Sequence, residues 1–418
     1  MHVSLREVDV VTALRPDVSP AGLSRRRHAM GFWLAGYVFA ITIAFSAVPA
    51  PLYVLYQARD HFGPPLVTII FSVYALGVAA SLFGVGHVSD WLGRRRILLL
   101  AVVTNMASGL LFLLWPAVPG LIIGRIISGV SIGMLTATAT AYLSELHARA
   151  RPGAPRTRAE ITAAAVSLGG LGLGPLIAGF LAQYAGAPLV VPYLVFEALM
   201  LVGCAFLLVT PETVPPPEEK HRYRPQRVMV PAASRGTFFA AGAAVAVAFS
   251  LFGLFTSLTP GFLADTLHDR SHALAGAATF IVFGAAALAQ IGTSRASLQR
   301  QLGLGLGLLV LGLVLVTVAI WNPSLPLLLT GGALGGAGAG AVFKGGISTV
   351  LEIAPEDARG EALAGLFLAA YLGLAMPVIA LGFASQALSL RTALLGFSIL
   401  LAVVIALVAR KLLVRRPA

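Results

Sequence analysis

Charge is what this chain has least of. Asp, Glu, Lys and Arg make up 11% of its 418 residues, against about 25% in ordinary soluble domains. The chain therefore reads as one that lives in lipid, with loops holding almost all of the charge. It has one cysteine, Cys204, set inside an apolar run. No disulfide framework is available, and the thiol reads as a small buried hydrophobe. No phosphate-cradling glycine loop, metal-ligand cluster or nucleophile with a nearby base appears, which argues against an enzyme and gives no reason to expect a cofactor or a metal. Work done by such a chain would draw on an ion gradient.

What is abundant is apolar sequence, 58% of residues even before the 45 glycines are counted. A bilayer core needs about 20 apolar residues per helical span, and such windows recur along the whole chain. The expected spans are 32–56, 66–88, 96–115, 119–145, 160–184 and 188–209, then 236–263, 273–292, 301–321, 325–351, 361–384 and 388–409. The fold class is all-α, a polytopic membrane protein with 12 transmembrane helices. Pro49 and Pro51 should kink the outer end of the first span. A run of three arginines, Arg25 to Arg27, precedes that span, but the span is too long for a signal-peptide core and reads as an uncleaved helix. The apolar pattern stops between Thr210 and Arg235, where Pro215-Pro216-Pro217-Glu218-Glu219-Lys220 marks a linker. The expected organisation is an N-terminal tail over 1–30, a six-helix bundle over 31–209, a linker over 210–235, a second bundle over 236–409 and a short tail over 410–418.

The net charge of +12 would suggest nucleic acid in a soluble protein, but the basic residues are confined to alternate loops, which excludes that partner. With both ends cytoplasmic, 24 Lys and Arg lie in inside segments and three, Arg59, Arg270 and Arg391, in outside loops. That asymmetry predicts cytoplasmic termini in the cell membrane.

Between the second and third spans lies Gly86-His87-Val88-Ser89-Asp90-Trp91-Leu92-Gly93-Arg94-Arg95-Arg96. Gly86 and Gly93 allow a tight turn and close helix approach, Asp90 can pair with an arginine or a helix end, and the arginines cannot cross a bilayer. Glycine, three residues, aspartate, two residues, glycine and arginines resembles the signature loop between helices 2 and 3 of the major facilitator superfamily, with Trp91 where that family usually has a basic residue. The likeness runs along nearly the whole chain. It implies two pseudo-symmetric six-helix halves around a central site, and the halves do repeat. Arg125, Gly129, Gly133 and Glu145 have the spacing of Gly332, Gly336, Gly340 and Glu352, and Arg158-Ala159-Glu160 matches Arg359-Gly360-Glu361. The resemblance also implies that Gly86, Asp90, Gly93, Arg94, Arg95, Glu145 and Glu352, with Pro211-Glu212, form a cytoplasmic latch that locks one state.

A charge at mid-bilayer is costly and usually faces a cavity or a partner. Three occur: Arg125, Glu197 and Lys344. Arg125 resembles the fourth-helix arginine that the family associates with proton coupling. Lys344 falls on the tenth helix, which by resemblance lines the cavity with helices 1, 4 and 7. The two cations would make that cavity electropositive and suit an anionic or carboxylate-bearing substrate, although a lysine can equally satisfy backbone carbonyls. Glu197 has the chemistry of a proton carrier but sits on the usually peripheral sixth helix, where a structural role is at least as good a reading. His87 titrates near neutral pH and is a further candidate. Softer cavity groups are Tyr37, Tyr53, Thr136, Ser257 and Tyr371.

On the fifth helix, Gly170, Gly174, Pro175 and Gly179 resemble the motif of exporters that exchange substrate for protons, with Ala178 in place of one glycine; the second reading of the bare pattern is a packing helix. The reading placed first is proton-coupled efflux by antiport of a small amphipathic molecule, through alternating access and as a monomer. The alternatives are an importer by symport or a uniporter of a small organic solute, and a non-transporting membrane sensor or scaffold. The partners expected are a small-molecule substrate, protons and the lipid bilayer.

Overall fold

A computed structural model describes residues 20–85, 88–155, 157–214, 231–355 and 358–413. Among them there is no strand. Twelve helices are long and apolar enough to cross a membrane. They are α1 (Pro20–Ala47), α2 (Pro64–Val85), α3 (Arg94–Leu114), α4 (Val118–Ala150), α5 (Thr157–Tyr184), α6 (Val191–Val209), α7 (Arg235–Ser257), α8 (His272–Gly292), α9 (Leu298–Trp321), α10 (Leu325–Ile353), α11 (Arg359–Ala387) and α12 (Leu390–Leu413). All twelve coincide with an expected span. The main departure is α1, which starts at Pro20 rather than at 32, so part of the expected tail is helical. The charged run 215–220 and the loop residues Gly86 and His87 lie outside the described residues.

Proline sets the ends of two corresponding helices. Neither Pro49 nor Pro51 has an N–H to continue the ladder of α1, and the chain passes through a short 3-10 turn, Ala50–Leu52, into a second helical piece, Tyr53–Asp60. Its repeat mate α7 ends at Ser257 and resumes as Thr259–Asp265 with Pro260 in its first turn. These two short pieces pack on each other on the face opposite the arginine-rich loop, called the far face below. Each half also carries one proline inside a membrane helix, Pro175 in α5 and Pro377 in α11.

Glycine decides how closely the helices approach. A Cβ on Gly129 of α4 would strike the Tyr74 carbonyl of α2, and one on Gly77 of α2 would strike the Ile126 carbonyl of α4. In the second half, Gly336 and Gly340 of α10 lie in the same way against the Val282 and Ala286 carbonyls of α8. The spacing shared by the halves thus makes the same joint twice, α4 on α2 and α10 on α8. α1 and α7 are the most buried spans. α3, α6, α9 and α12 are peripheral and present leucines such as Leu110, Leu201, Leu311 and Leu407 outward, where lipid tails solvate them.

The six-helix halves meet along two seams, α5 against α8 and α2 against α11. On the far face both seams are tight. Gly179 of α5 abuts the His272 carbonyl, Gly276 of α8 abuts the Pro175 carbonyl, and Gly382 of α11 abuts Thr68. Ser72 Oγ donates to the Ala375 carbonyl across the second seam at 3.4 Å, and the Gln183 side chain accepts from the His272 backbone N–H at 2.8 Å across the first.

Candidate functional site

Arg125 is held inside the first half. It is 3% exposed, and its guanidinium donates to the Ser46 carbonyl at 2.5 Å and the Phe71 carbonyl at 3.4 Å while lying 4.5 Å from the centre of the Tyr74 ring. Ser46 is in the last turn of α1, where the proline break leaves carbonyls without helical partners. Arg125 therefore caps α1, a cation at the negative end of a helix. The repeat explains why the second half needs no equivalent, since the position matching Arg125 is Gly332, whose space the Phe255 ring fills.

Tyr74 links Arg125 to the middle of the molecule. Its ring meets Tyr371 of α11 edge-on at 6.0 Å, Tyr371 meets Phe249 of α7 at 6.1 Å, Phe249 meets Phe343 of α10 at 5.0 Å, and Phe343 meets Phe367 of α11 at 5.9 Å. The Tyr371 hydroxyl interacts with Tyr74 and with Thr136 of α4. A chain of aromatic rings thus crosses between the halves, with two tyrosine hydroxyls and a threonine on the first-half side. Of this chain, Thr136 and Tyr371 were legible as candidates. Tyr74, Phe249, Phe343 and Phe367 were not, because an aromatic residue inside an apolar run carries no mark of what it faces.

Lys344 is half-buried on α10 and donates to the Gln290 carbonyl at 2.9 Å, in the last turn of α8. The Glu160 carboxylate at the start of α5, in the other half, lies within electrostatic range of it. The remaining candidates scatter. Tyr37 packs on α6, its hydroxyl donating to the Leu199 carbonyl at 3.1 Å and its ring 5.1 Å from Phe206. Tyr53 is buried beside Arg125 with its hydroxyl unpartnered. Ser257 donates to the Gly253 carbonyl at 2.7 Å. Glu197 faces Gly109 across the α3–α6 contact, with Oε1 buried and without a hydrogen-bond partner.

The polar loop is a network within the first half. Arg94 pairs with Asp90 at 2.5 Å and with Glu145 at 3.0 Å and donates to Ser89 at 2.7 Å. Glu212 receives the backbone N–H groups of Arg94 and Arg95 at 3.0 and 3.1 Å, so a carboxylate caps the positive N-terminus of α3. Thr213 Oγ1 donates to Glu145 at 2.5 Å, and Arg95 reaches the Thr210 carbonyl at 3.3 Å. The loop is thereby tied to the ends of α4 and α6. Gly93 has φ 102°, and a Cβ there would collide with Glu212, so glycine is required twice over. Glu352, which the expected latch included, is exposed, and among the described residues no ion pair holds it. Glu212→Ala should lower the melting temperature of the purified protein in detergent, a loss of about 1 kcal/mol on the scale of a helix cap; an unchanged melt would remove the capping role.

The glycines of the fifth-helix motif all make contacts. Gly170 lies against Ile43 and Ala40 of α1, Gly174 against the Ala44 carbonyl, and Gly179 against α8. Close packing accounts for each of them.

Twelve apolar helices in two repeated halves, joined along two seams with an aromatic and hydroxyl cluster between them, define a polytopic membrane protein. The sequence profile of the Major Facilitator Superfamily matches residues 28–301, and the chain belongs to that superfamily. It is similar to the galactose-proton symporter of Escherichia coli K12, 30% identical over 138 residues that are 31% of this chain and 28% of that protein. It is also similar to the glucose transport protein of a Synechocystis strain, 28% identical over 196 residues, 42% of this chain and 39% of that protein. The matches thus span less than half the length of these relatives. The fold resembles the crystal structure of a bacterial homolog of the human lysosomal transporter Spinster, with a TM-score of 0.72, 14% identity and coverage of 94% of this chain and 99% of that one.

Proposed function

We propose that the protein is a secondary transporter that carries a small organic solute into the cell, by proton symport or as a uniporter, by rocking its two halves about the central cluster. The observation that carries this reading is the pair of seams. Within each half the helices pack on several neighbours, whereas the halves meet mainly along α2–α11 and α5–α8, with smaller contacts between the short pieces after α1 and α7 on the far face, the arrangement that rigid-body alternating access uses. The sugar-proton symporter and the glucose transport protein among the similar sequences support the inward direction. Efflux by antiport rests on the fifth-helix glycines alone, and their close packing does not favour it over import.

The arginine-rich face is taken as cytoplasmic, from the distribution of basic residues. The tight contacts on the far face then close the outer side, and exposed Thr140 on the cytoplasmic half of α4 fits a state open to the cytoplasm.

The test is uptake into proteoliposomes of the purified full chain under an inward proton gradient, with labelled glucose, galactose and small carboxylates offered separately. Saturable uptake of at least one solute is expected, with dependence on the gradient separating symport from uniport. Solute extrusion driven by proton entry would overturn the inward reading.

A further inference from the structure

Resting on that transporter reading, we propose that the substrate is a small monocarboxylate with an apolar, preferably aromatic, tail, its carboxylate taken by Lys344 and its tail by the rings of Phe343, Phe249 and Phe367. A sugar needs several accessible amide or hydroxyl partners, and the uncommitted hydroxyls of Tyr53, Ser81 and Thr138 are all buried. Among the described residues Asn105 is the one amide away from the ends of the membrane helices, and it is buried, donating to the Thr42 carbonyl at 2.8 Å and accepting from Ser128 at 2.9 Å. The cavity-side hydroxyls are already bonded to helix carbonyls. Thr136, Thr140 and Ser144 donate to the carbonyls of Ile132, Thr136 and Thr140, and Ser250 donates to those of Ala246 and Gly373.

Of the two cations inside the membrane helices, Arg125 is committed to carbonyls and a tyrosine face and is shut from solvent. Lys344 is different. An ammonium has three donors. One goes to the Gln290 carbonyl, which leaves two for a carboxylate. Phe343 and Lys344 are neighbours on α10, so their side chains diverge by about 100° on the helix. Phe343 turns to Phe249 and Phe367, and Lys344 turns to the end of α8. α10 thus carries an apolar ring and a cation at adjacent positions, the ring packed among aromatics and the cation half-buried.

Glu160 completes the argument. It belongs to the opposite half and is the acid whose charge acts on Lys344. It acts on Lys344 through space across the α5–α8 seam, from an exposed position and without an ion pair. A substrate carboxylate on the Lys344 ammonium is closer to the cation than Glu160 is and competes with it for that charge. A neutral solute could not compete in that way.

The test is equilibrium binding to the purified full chain in detergent, using labelled benzoate, phenylacetate and isovalerate, the primary amide of each, and glucose. At least one acid should bind, with its amide weaker by about tenfold or more, the cost of losing a charge-assisted pair. Lys344→Gln should weaken that acid by about tenfold or more, while Glu160→Gln should tighten it by removing the competitor. Because the acid-to-amide comparison needs no variant, poor folding of Lys344→Gln does not blunt the test. Equal affinity for acid and amide, no binding of any acid, or binding of glucose alone would overturn the carboxylate proposal. Glucose uptake in the proteoliposome assay would still uphold the transporter reading, and absence of uptake of every solute there would remove that reading itself.

Discussion

An Arg125→Leu protein is expected to lose solute uptake by about a hundredfold or more and to melt at a lower temperature in detergent. The guanidinium fills three roles at once. It satisfies the Ser46 carbonyl left over at the broken end of α1, reaches the Phe71 carbonyl of α2, and lies against Tyr74. Leucine fills much of the volume but leaves a buried carbonyl without a donor, at a cost of about 1–3 kcal/mol. It also frees the Tyr74 ring, whose edge contact with Tyr371 is where the first half meets the second. The loss of function should therefore exceed what the fall in stability explains. Arg125→Lys should not restore uptake, because an ammonium cannot fork between two helices or stack on the ring as a planar guanidinium does. Uptake near the unmodified level in Arg125→Leu, at equal amounts in the membrane, would reduce Arg125 to a spectator.

The second large effect is expected from Gly276→Val. Any Cβ at that position meets the Pro175 carbonyl and the Leu176 Cα of the other half. These are backbone atoms that cannot swing aside, so the strain of about 1–3 kcal/mol typical of overpacking is relieved by parting the halves on the far face. A shift of that size changes the ratio of the two states by about 5- to 150-fold. In a Cys204→Ala background, a cysteine placed at Ser72, which is 4% exposed in the α2–α11 seam, should react with a membrane-impermeant maleimide from outside only when Gly276 is valine. Uptake should fall by about tenfold or more while the protein still folds, since the joints inside each half are untouched. Gly129→Val is the contrast. Its Cβ strikes the Tyr74 carbonyl within one half, so it should reduce the amount of folded protein rather than expose Ser72. Failure of Gly276→Val to alter either labelling or uptake would mean that the far-face seam does not part.

The distance between these two residues in kind measures what could be read in advance. Gly129 and Gly133 were legible because their spacing recurs at Gly336 and Gly340, and the joint they make follows from having no Cβ. Which carbonyl each one meets was not legible, since nothing in α4 names its partner on α2. Arg125 stood out because a charge in lipid must be compensated, but the compensating groups are backbone carbonyls and a ring, which leave no trace in composition. Lys344 stood out for the same reason, and its partner proved to be the last turn of α8. Glu352 was placed in the latch by its repeat mate Glu145, yet it is Glu145 that lies within reach of Arg94; the second-half counterpart of the polar loop, Gly292 to Gln301, keeps Arg295 and Arg300 but has no acid.

The chain by itself determined that it spans a membrane twelve times, in two halves of one plan, with a broken first helix and a polar loop between the second and third. Each of these is a local consequence of hydrophobicity, proline and glycine, readable wherever the backbone must satisfy its own hydrogen bonds in lipid. The tertiary structure alone decided which charges face which partners, that the aromatic rings of α2, α7, α10 and α11 form one chain across the halves, and that the halves close on the far face. Those outcomes depend on side chains brought together from distant helices. In a chain this uniformly apolar, a ring facing lipid and a ring facing the central site have the same neighbours in sequence.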